Sequence, residues 1–416
     1  MERIWLREYP EGVPTEIDLN EFASLKDILE KSCRRFADLP AYSNMGVTLR
    51  YRDIDRISRD FGAYLQGRGL GKGERVAIMM PNVLQYPIAV FGALRAGLTV
   101  VNVNPLYTPR ELEHQLKDSG AAAIVIVENF AHTLQEVLDR TPVKTIVTTQ
   151  LGDLFPFPKR PLVNFVVKYL KRMVPAWHIP GAVPFRRALA VGAEQTLREV
   201  PLTHDDLAFL QYTGGTTGVS KGAMLTHGNL VANLQQASAW LSPVSRLAEE
   251  TVITALPLYH IFSLTANCLT FMKVGGHNIL ITNPRDMPGF VKELAKVRFT
   301  VITGVNTLFN GLLHAPGFER LDFSALKISL GGGMAVQRAV AENWKRVTGM
   351  LLIEAYGLTE TSPAACINPL TLQEYNGSIG LPIPSTELSV RDDEGRELGI
   401  GVDQVGELCL RGPQVM

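Results

Sequence analysis

Short apolar runs alternate with longer amphipathic stretches along the first part of the chain. The runs have the length and β-branched content of buried strands, and the stretches repeat apolar residues at helical spacing. A capping box at Thr108-Pro-Arg-Glu111 marks the start of one helix, which ends at Gly120. Strands that alternate with helices predict a parallel, doubly wound sheet. The predicted strands cover 75–80, 98–103 and 122–127, and the predicted helices cover 24–36, 54–65, 83–96 and 108–120.

The same alternation returns after residue 202. After Pro369 glycine and proline become frequent, and two short alternating strands are joined through the turn Asp392-Asp-Glu-Gly395, which indicates the start of a small β-barrel. The predicted strands cover 206–212, 223–226, 252–255, 278–281, 300–303, 326–330, 351–355, 387–391 and 407–411, and the predicted helices cover 230–241, 287–296, 307–313 and 335–347.

Residues 151–190 interrupt this pattern. They hold seven basic side chains against one acid, Asp153, with apolar residues interleaved. Helical spacing places Val163, Val166, Val167 and Leu170 on one face. A basic amphipathic helix is typical of a segment that lies on a membrane surface. A helix that packs on its own domain and leaves its lysines in solvent explains the pattern equally well.

Composition narrows the class of protein. The chain has 416 residues, of which 46% are hydrophobic and 20% are charged, and 41 basic side chains balance 41 acidic ones. This length allows two or three domains, and the charge balance gives no indication of nucleic-acid binding. The four cysteines form no C-x-x-C pair, which disfavours a zinc site and fits a reducing cytosol. No signal-peptide pattern opens the chain, and no apolar run has the length of a membrane span.

The stretch Gln211-Tyr-Thr-Gly-Gly-Thr-Thr-Gly-Val-Ser-Lys-Gly222 lies between two predicted strands and holds four glycines, three threonines, one serine and one lysine. Glycine lets backbone N–H groups approach an anion closely, the hydroxyls donate further hydrogen bonds, and Lys221 adds a point charge. This composition predicts a polyphosphate-binding loop. A mobile surface loop is the simpler alternative, and the combination of threonines with a terminal lysine disfavours it.

Two better-known phosphate motifs do not fit this stretch. A P-loop ends in Gly-Lys-Ser/Thr and opens a helix, whereas this stretch ends in Ser220-Lys221-Gly222 and joins two strands. The dinucleotide fingerprint G-x-G-x-x-G fails here and also at Gly331-Gly332-Gly333.

A second motif, Tyr356-Gly-Leu-Thr-Glu360, follows the end of a predicted parallel strand, where ligands of open α/β sheets collect. One carboxylate together with phosphate oxygens is a usual environment for Mg²⁺. The two motifs together resemble the signatures of the adenylate-forming superfamily. In detail the chain resembles the AMP-forming long-chain fatty-acid–CoA ligases of bacteria over nearly its whole length.

The resemblance implies a fold of α/β class, with two doubly wound, mostly parallel sheets packed with helices and a small β-barrel-like subdomain. It suggests a first α/β subdomain over 1–200, a second over 201–370 that holds the nucleotide and acyl sites, and the start of the small β-subdomain over 371–416.

The resemblance also implies the nucleotide site. Glu360 and Thr213 would bind Mg²⁺, Tyr356 would pack on adenine, Thr359 would contact the α-phosphate, and Lys221 and Glu360 would be catalytic. The implied ATP-binding residues are Thr213, Gly214, Gly215, Thr216, Thr217, Gly218, Lys221, Gly331, Gly332, Gly333, Ala355, Tyr356, Gly357, Leu358, Thr359 and Glu360.

The acyl site is implied in the same way. The glycine segment would border both adenine and the acyl chain, and the segment 304–310 resembles the acyl-pocket wall. His260 would face the substrate carboxylate and orient it, since a carboxylate nucleophile needs no deprotonation. A single histidine in an apolar segment is more often a hydrogen-bonded core residue. The implied acyl-binding residues are His260, Asn306, Phe309, Asn310, Gly332 and Gly333.

The expected reaction converts fatty acid, ATP and CoA into acyl-CoA, AMP and pyrophosphate through an acyl-AMP intermediate. One alternative is a fatty-acyl-AMP ligase that passes the acyl group to a carrier protein. Another is a non-catalytic nucleotide or lipid sensor, which the presence of Thr213, Lys221 and Glu360 disfavours.

Members of the family continue beyond a strand such as 407–411. They add a ribose-binding aspartate, a hinge and a mobile domain with a catalytic lysine, none of which is matched in this chain. The expectation is that the 416-residue chain binds ATP weakly and is inactive in the full reaction. The expected location is the cytoplasm, with 151–190 touching the inner membrane surface. A homodimer is a further alternative, because a final unpaired strand would expose a sheet edge to a second chain.

Overall fold

The computed structural model describes residues 3–214, 219–399 and 405–416. Within them the strands form two large sheets and one two-stranded sheet. In chain order the strands are β1 (Pro40–Asn44), β2 (Val47–Arg50), β3 (Arg75–Met79), β4 (Thr99–Asn102), β5 (Ala123–Val127), β6 (Thr145–Thr149), β7 (Val183–Pro184), β8 (Leu207–Thr213), β9 (Lys221–Thr226), β10 (Thr251–Thr254), β11 (His277–Leu280), β12 (Val301–Gly304), β13 (Ile328–Gly331), β14 (Leu352–Gly357), β15 (Ala364–Ile367), β16 (Leu381–Pro382), β17 (Glu387–Arg391) and β18 (Glu407–Arg411).

The α-helices of the described residues pack against the two large sheets. They are α1 (Leu25–Arg35), α2 (Tyr51–Gly67), α3 (Gln85–Arg95), α4 (Pro109–Ser119), α5 (Ala131–Val137), α6 (Lys159–Phe165), α7 (Phe185–Ala193), α8 (His227–Leu241), α9 (Ile261–Ser263), α10 (Thr270–Lys273), α11 (Met287–Leu294), α12 (Asn306–Leu313) and α13 (Arg338–Thr348). Two π-helical segments, Val166–Leu170 and Leu264–Leu269, follow α6 and α9. No helix of the described residues is both long and apolar enough to cross a membrane.

Both large sheets are parallel at their centres and antiparallel at an edge. The first sheet has the order β7-β6-β5-β3-β4-β8-β9, and only β9 runs antiparallel to its neighbour. The second has the order β16-β15-β14-β13-β12-β10-β11-β1-β2, with a parallel run from β14 to β1. The prediction of an α/β fold with two mostly parallel sheets is confirmed.

Capping residues in the sequence determine where helix α4 begins and ends. The Thr108 hydroxyl accepts from the Glu111 N–H, and the Glu111 carboxylate accepts from the Thr108 N–H at 2.8 Å. Proline occupies the first turn, where no N–H is needed. At the other end Gly120 adopts a φ of 60°, a left-handed conformation that lets the chain leave the helix at little cost.

The two sheets exchange strands across the predicted boundary at residue 200. Strands β8 and β9 complete the first sheet, whereas β1 and β2 lie at the edge of the second. One large apolar cluster joins them, with Val76 and Val100 from the first sheet and Leu280 from the second. A division at 200 therefore does not describe the sheets, because strand pairing over long sequence separations leaves no local trace in the sequence.

The predicted barrel start is an antiparallel pair. Strands β17 and β18 pair over five residues in register, from Glu387 opposite Arg411 to Arg391 opposite Glu407. Among the described residues no barrel is closed. The predicted turn at Asp392 is present, since the Gly395 N–H donates to the Asp392 carbonyl at 2.9 Å.

The basic segment differs from its prediction in which side chains it exposes. Helix α6 passes into the π-helical turn, where the Lys171 N–H donates to the Val166 carbonyl at 2.8 Å. The wider turn shifts the phase of the helix, so Leu170 is 67% exposed, while Val163 packs against the core. Val163, Val166 and Val167 are all half-buried, so the single face predicted for these three together with Leu170 is wrong only for Leu170. The exposed apolar side chains are Phe157, Leu162, Phe165, Tyr169, Leu170 and Met173.

Candidate active site

An apolar cavity of about 210 Å³ opens at the carboxyl ends of the central strands of the second sheet. Two segments that the sequence singled out border its mouth. One is the glycine turn, residues 331–333, and the other is the motif 356–360, which begins at the end of β14. Its interior runs between α8 and the face of β12 and β13. The described residues at the mouth are His260, Gly332, Gly333, Ala355, Tyr356, Gly357, Leu358 and Thr359.

The phosphate loop joins the two antiparallel strands at one edge of the first sheet. Strands β8 and β9 are antiparallel, and Thr213 pairs with Lys221 in register. Both Lys221 and Gly214 are exposed. The side-chain ammonium of Lys221 has no hydrogen-bond or ion-pair partner among the described residues. The predicted ATP-binding residues Gly215, Thr216, Thr217 and Gly218 lie outside the described residues.

Helix α4 holds the base of this hairpin. The His114 Nε2 lies 2.9 Å from the Ser220 carbonyl oxygen, and the Tyr212 hydroxyl donates to the Asp118 carboxylate at 2.5 Å. Across the loop, the Ser220 hydroxyl donates to the Thr213 carbonyl at 2.6 Å. These contacts fix both ends of the loop relative to the sheet.

The motif after β14 turns sharply at Gly357. A Cβ at this glycine would collide with the Pro363 carbonyl oxygen, because β14 and β15 approach closely there. Only glycine therefore fits, and the turn brings Thr359 and Glu360 into a short 3₁₀-helix, Thr359–Thr361. The Glu360 carboxylate has no partner among the described residues. Its backbone carbonyl accepts from the Met416 N–H at 3.0 Å.

Lys221 and Glu360 come from different sheets and lie on neighbouring elements. The 3₁₀-helix with Glu360 contacts β9, the strand that begins at Lys221. Thr213 pairs with Lys221, the first residue of β9, and the short helix that carries Glu360 packs on this strand. Glu360 follows directly after Thr359, which lines the apolar cavity. A cation and a carboxylate on neighbouring elements are the charges that a polyphosphate with a bound metal ion requires.

The glycine turn leaves no room for side chains. A Cβ at Gly332 would lie 3.2 Å from both the Phe262 ring and the Ala355 carbonyl oxygen. Gly333 has a φ of 76°, a conformation that side chains other than glycine rarely adopt. The backbone of the turn can therefore contact a flat ligand directly.

Three side chains form hydrogen bonds to the backbone of the loop between the glycine turn and α13. The Val336 N–H donates to the Glu354 carboxylate at 3.2 Å, and the Gln337 N–H donates to the Asn306 side-chain oxygen at 2.9 Å. The Tyr375 hydroxyl donates to the Val336 carbonyl at 2.7 Å. Burial raises the pKa of the Glu354 carboxyl.

His260 stands at the mouth of the cavity and precedes α9. Its Nδ1 accepts from the Phe262 N–H at 3.3 Å, so the neutral ring carries its proton on Nε2. Nε2 has no partner among the described residues. The ring reaches solvent, yet protein atoms surround most of it, and this desolvation lowers the pKa of His260. A neutral N–H donor at the mouth suits the orientation of a carboxylate.

The segment that carries His260 is held from the first sheet. Asn82 donates to the carbonyls of Thr254 and Leu256 at 3.0 and 2.8 Å and accepts from the Leu258 N–H at 2.8 Å. The Tyr86 hydroxyl donates to the Leu258 carbonyl at 2.7 Å. The Gln211 amide, in β8, donates to the Tyr259 carbonyl at 2.7 Å.

The structure places the other predicted acyl-binding residues away from the cavity. Phe309 is fully buried in α12 and packs on Trp344 with ring centroids 4.8 Å apart. Asn310 is exposed, and Asn306 serves the loop after the glycine turn. None of these three lines the cavity, because α12 covers the opposite core of the second sheet.

Sequence reasoning missed several residues of the site. Asn82, Gln211 and Glu354 are buried polar groups inside apolar runs, and their roles depend on contacts between distant segments. The cavity wall on α8 was also missed, since Ala237 and Leu241 follow the ordinary apolar spacing of a buried helix. The only available signal was the presence of polar side chains at core positions of otherwise apolar elements.

No three His, Cys, Asp or Glu side chains of the described residues cluster as a ready-made metal site. A single carboxylate beside a polyphosphate is the arrangement in which Mg²⁺ keeps waters and substrate oxygens as its other ligands.

Comparisons with known proteins agree with this geometry. A family model described as AMP-binding enzyme matches residues 29–416. The long-chain-fatty-acid–CoA ligase of Escherichia coli O157:H7 is 59% identical over 417 residues, which span all of this chain and 74% of that protein. The ligase of the same description from Bacillus subtilis is 37% identical over 415 residues, which span 99% of this chain and 73% of that protein.

Solved structures share the fold. A long-chain-fatty-acid-CoA ligase from Archaeoglobus fulgidus has a TM-score of 0.80 at 23% identity, over 98% of this chain and 78% of that one. The anthranilate CoA ligase AuaEII in complex with anthranoyl-AMP has a TM-score of 0.82 at 21% identity, over 96% of this chain and 72% of that one. At these identities the likeness establishes the fold alone.

Proposed function

The chain belongs to the family of AMP-binding enzymes, and from this premise we propose that it is an AMP-forming ligase that joins long-chain fatty acids to CoA. The observation that carries the proposal is the apolar cavity whose mouth is bordered by the glycine turn and by the motif that ends in Glu360. The similarity to the ligases of Escherichia coli and Bacillus subtilis supports the same reaction.

The reaction has two steps. In the first, a carboxylate oxygen of the fatty acid attacks the α-phosphorus of ATP, the bond to the bridging oxygen breaks, and pyrophosphate leaves. In the second, the CoA sulfur attacks the acyl carbonyl, loses its proton, and AMP leaves. Two anions must meet in the first step, so the protein must hold them in line and balance their charge.

The nucleotide is proposed to lie between the two sheets. The hairpin loop with Thr213, Gly214 and Lys221 would hold the phosphates, and the backbone at the glycine turn and at Tyr356 would contact the base. The predicted loop residues Gly215, Thr216, Thr217 and Gly218 remain part of this proposal. Lys221 supplies a point charge to phosphate oxygens without a proton transfer.

Mg²⁺ fits the donor set at Glu360. The carboxylate has no protein partner among the described residues, and Thr213 ends the neighbouring strand. When bound there, the ion would neutralise phosphate charge as pyrophosphate departs. The residues that hold it are proposed to be Glu360 and Thr213, with phosphate oxygens as further ligands.

His260 is proposed to orient the fatty acid. Its lowered pKa keeps the ring neutral, and Nε2–H, which has no partner among the described residues, is the donor that His260 offers at the cavity. The carboxylate would accept this hydrogen bond while its tail enters the cavity. Gly332 and Gly333 would border both ligands. Asn306 acts on the same site indirectly, through the loop that it holds.

The test is ATP–pyrophosphate exchange and thioester formation by the purified complete protein, rather than by residues 1–416 alone, with Mg²⁺ and palmitic acid. Exchange is expected to depend on the long-chain acid, and CoA is expected to release the acyl group as a thioester. Transfer to an acyl carrier protein but not to CoA would favour an acyl-AMP ligase. Nucleotide binding with no exchange under any acid would contradict an enzymatic role.

The exposed apolar segment between Phe157 and Met173 is proposed to rest on an anionic bilayer, from which the fatty acid would be taken. Its outward residues are aromatic or aliphatic, and Lys171 and Arg172 lie beside them. Interfacial segments of this kind bury apolar side chains at the headgroup boundary while basic groups meet anionic lipid.

A further inference from the structure

A turn of residues 358–363, the Glu360 turn, joins β14 to β15. It carries the Glu360 carboxylate on the short 3₁₀-helix Thr359–Thr361. The Thr361 hydroxyl accepts from the Leu358 N–H at 2.9 Å and so closes the first half of the turn. The second half begins at Ser362, two residues after Glu360.

Ser362 adopts an unfavourable backbone conformation. Its φ is 68°, in the left-handed region that residues other than glycine rarely adopt. The side chain is fully buried, and among the described residues its hydroxyl has no hydrogen-bond partner. A conformation of this kind persists only where neighbouring groups hold it. Since the Ser362 side chain forms no bond, the support acts through the backbone.

Thr265 supplies this support from the wall of the apolar cavity. Its hydroxyl donates to the Ser362 carbonyl at 2.8 Å, and among the described residues no other group bonds to this carbonyl. Thr265 lines the cavity, is 1% exposed, and belongs to the π-helical segment Leu264–Leu269. Single π-helical turns occur frequently at functional sites. One buried side chain therefore contacts both the cavity and the Glu360 turn.

The backbone of Thr265 is itself held in place. Its carbonyl accepts from the Thr270 N–H, which closes the π-helical turn, and also from the Thr270 hydroxyl at 2.8 Å. The Thr265 hydroxyl therefore reaches the Ser362 carbonyl from a fixed position. A fixed donor can hold the Glu360 turn in one conformation before any ligand binds.

We propose that Thr265 is a positioning residue for the metal carboxylate, because its hydrogen bond to Ser362 holds the Glu360 turn in the conformation that binds Mg²⁺. The inference rests on the proposed function, in which Glu360 binds this ion. Without the donor, the Ser362 carbonyl is left buried and unpaired, and the left-handed conformation loses its support. The carboxylate is then less well placed, and groups that orient a metal ligand contribute about ten- to a hundredfold to metal affinity or activity.

The experiment compares Thr265→Val, Thr265→Ser and Thr99→Val in the complete protein. Valine has nearly the shape of threonine but no donor, whereas serine keeps the hydroxyl. Thr99 is also 1% exposed and donates to the Leu207 carbonyl at 3.1 Å, at the end of β4 away from the phosphate loop. Its substitution removes the same kind of bond without touching the Glu360 turn. Thermal unfolding measures whether each variant is folded.

The first readout is the effect of Mg²⁺ on ATP affinity, measured by calorimetry without fatty acid so that no turnover occurs. The gain in affinity that Mg²⁺ gives the parent is expected to shrink about ten- to a hundredfold in Thr265→Val and to persist in Thr265→Ser and Thr99→Val. The second readout is ATP–pyrophosphate exchange with palmitic acid. Its kcat is expected to fall by a similar factor in Thr265→Val, while the KM for the acid stays that of the parent because valine keeps the shape of the cavity wall.

Glu360→Gln tests whether Thr265 acts through Glu360. Added to that variant, Thr265→Val is expected to cause little further loss of exchange, because the turn then positions no carboxylate. Should Thr265→Val fail to fold, Thr265→Ala removes the same donor without crowding the carbonyl and is held to the same outcomes.

Three results would overturn the inference and leave the proposed function standing. They are a parent-like response to Mg²⁺ in Thr265→Val, an equal loss in Thr265→Ser or Thr99→Val, and full additivity of Thr265→Val with Glu360→Gln. A parent that exchanges no pyrophosphate with any long-chain acid would instead overturn the proposed function.

Discussion

At the scale of single residues, Lys221 and Glu360 carry the charges that the proposed chemistry needs. Lys221→Ala and Glu360→Ala are each expected to lower ATP–pyrophosphate exchange by about 10²- to 10³-fold, because a preorganised charge contact is lost. Fatty-acid affinity, measured by calorimetry, should stay within error, since neither side chain lines the cavity.

Lys292→Ala is the matched control for that pair of variants. Lys292 is an exposed lysine on α11, away from the mouth of the cavity. Wild-type exchange in Lys221→Ala, or an equal loss in Lys292→Ala, would remove Lys221 from the site.

Two partly desolvated histidines, the buried His227 and the half-buried His277, make stability depend on pH. Burial lowers the pKa of His277 and of His227 to about 4 in the folded chain, whereas an unfolded histidine has a pKa near 6.5. Below about pH 6.5 the histidines of the unfolded chain bind protons, whereas those of the folded chain stay neutral until the pH approaches 4. This contribution to stability is therefore present above about pH 6.5 and is lost as the pH falls toward 4.

The measurement is the midpoint of thermal unfolding at pH 7.5, 6 and 5 for the parent and for His277→Asn. The midpoint of the parent is expected to fall with pH, and the variant is expected to fall less because one proton is no longer taken up on unfolding. Carboxylates act alike in both proteins and cancel in the comparison. An identical pH dependence in the two proteins would show that His277 is not held neutral.

At the scale of elements, the sequence predicted most strands and helices to within a few residues. Apolar spacing and capping residues are enough to predict elements such as α4. The capping residues Thr108 and Gly120 mark where this helix starts and ends. The placement of Leu170 on one face with Val163, Val166 and Val167 was predicted wrongly, because a π-helical turn changes the phase that an α-helical wheel assumes. Sequence spacing carries no warning of such a turn.

The element-scale prediction concerns the segment between Phe157 and Met173. Replacing Phe165 and Tyr169 together by serine is expected to weaken binding to phosphatidylglycerol vesicles, because both side chains are mostly exposed and lie on the outward face. Charge reversal at Lys171 and Arg172 should weaken it as well, most at low salt, since each basic group near the surface contributes about 1 kcal/mol.

Co-sedimentation with vesicles measures this binding. Val166→Ser serves as the control, since Val166 is half-buried in the same segment. If the outward aromatic variant and the control sediment as the parent does, the segment is an ordinary packed helix with solvated lysines.

At the scale of the whole molecule, the site forms where two sheets meet, and this could not be predicted from local patterns. The phosphate-loop motif was recognisable by composition and the Glu360 motif by its resemblance to the superfamily signature, but their placement on different sheets follows from pairings such as β4 with β8. Asn306, Phe309 and Asn310 were expected at the acyl chain because their segment resembles the acyl-pocket wall of the family; they do not line the apolar cavity, which α8 does line, and their role at the acyl chain stays a prediction.

Asn82 is the polar group that ties the two sheets at this junction. Asn82→Ala would leave the Leu258 N–H without its partner in a buried place, whereas the Thr254 and Leu256 carbonyls keep the Ile281 N–H and the Ser263 hydroxyl, and unfolding is expected to become easier by about 2 kcal/mol. Denaturant titration measures this change, and exchange activity should fall with it because His260 follows the same segment.

The control for Asn82 is Asn343→Ala. Asn343 is exposed on α13, and among the described residues its side chain bonds only to the Arg346 side chain. A loss of stability at Asn82 no larger than at Asn343 would show that the junction does not depend on this residue.

The position of the phosphate loop on one sheet and of Glu360 on the other has a consequence for how the protein opens. A nucleotide held by both acts as a removable cross-link, so neither sheet can separate from the other without releasing it. At a hundredfold excess over its dissociation constant such a ligand adds about 2.7 kcal/mol to the folded state. Amide protons in β4 and in β13, which belong to different sheets, should then slow their exchange with solvent by similar factors when ATP binds.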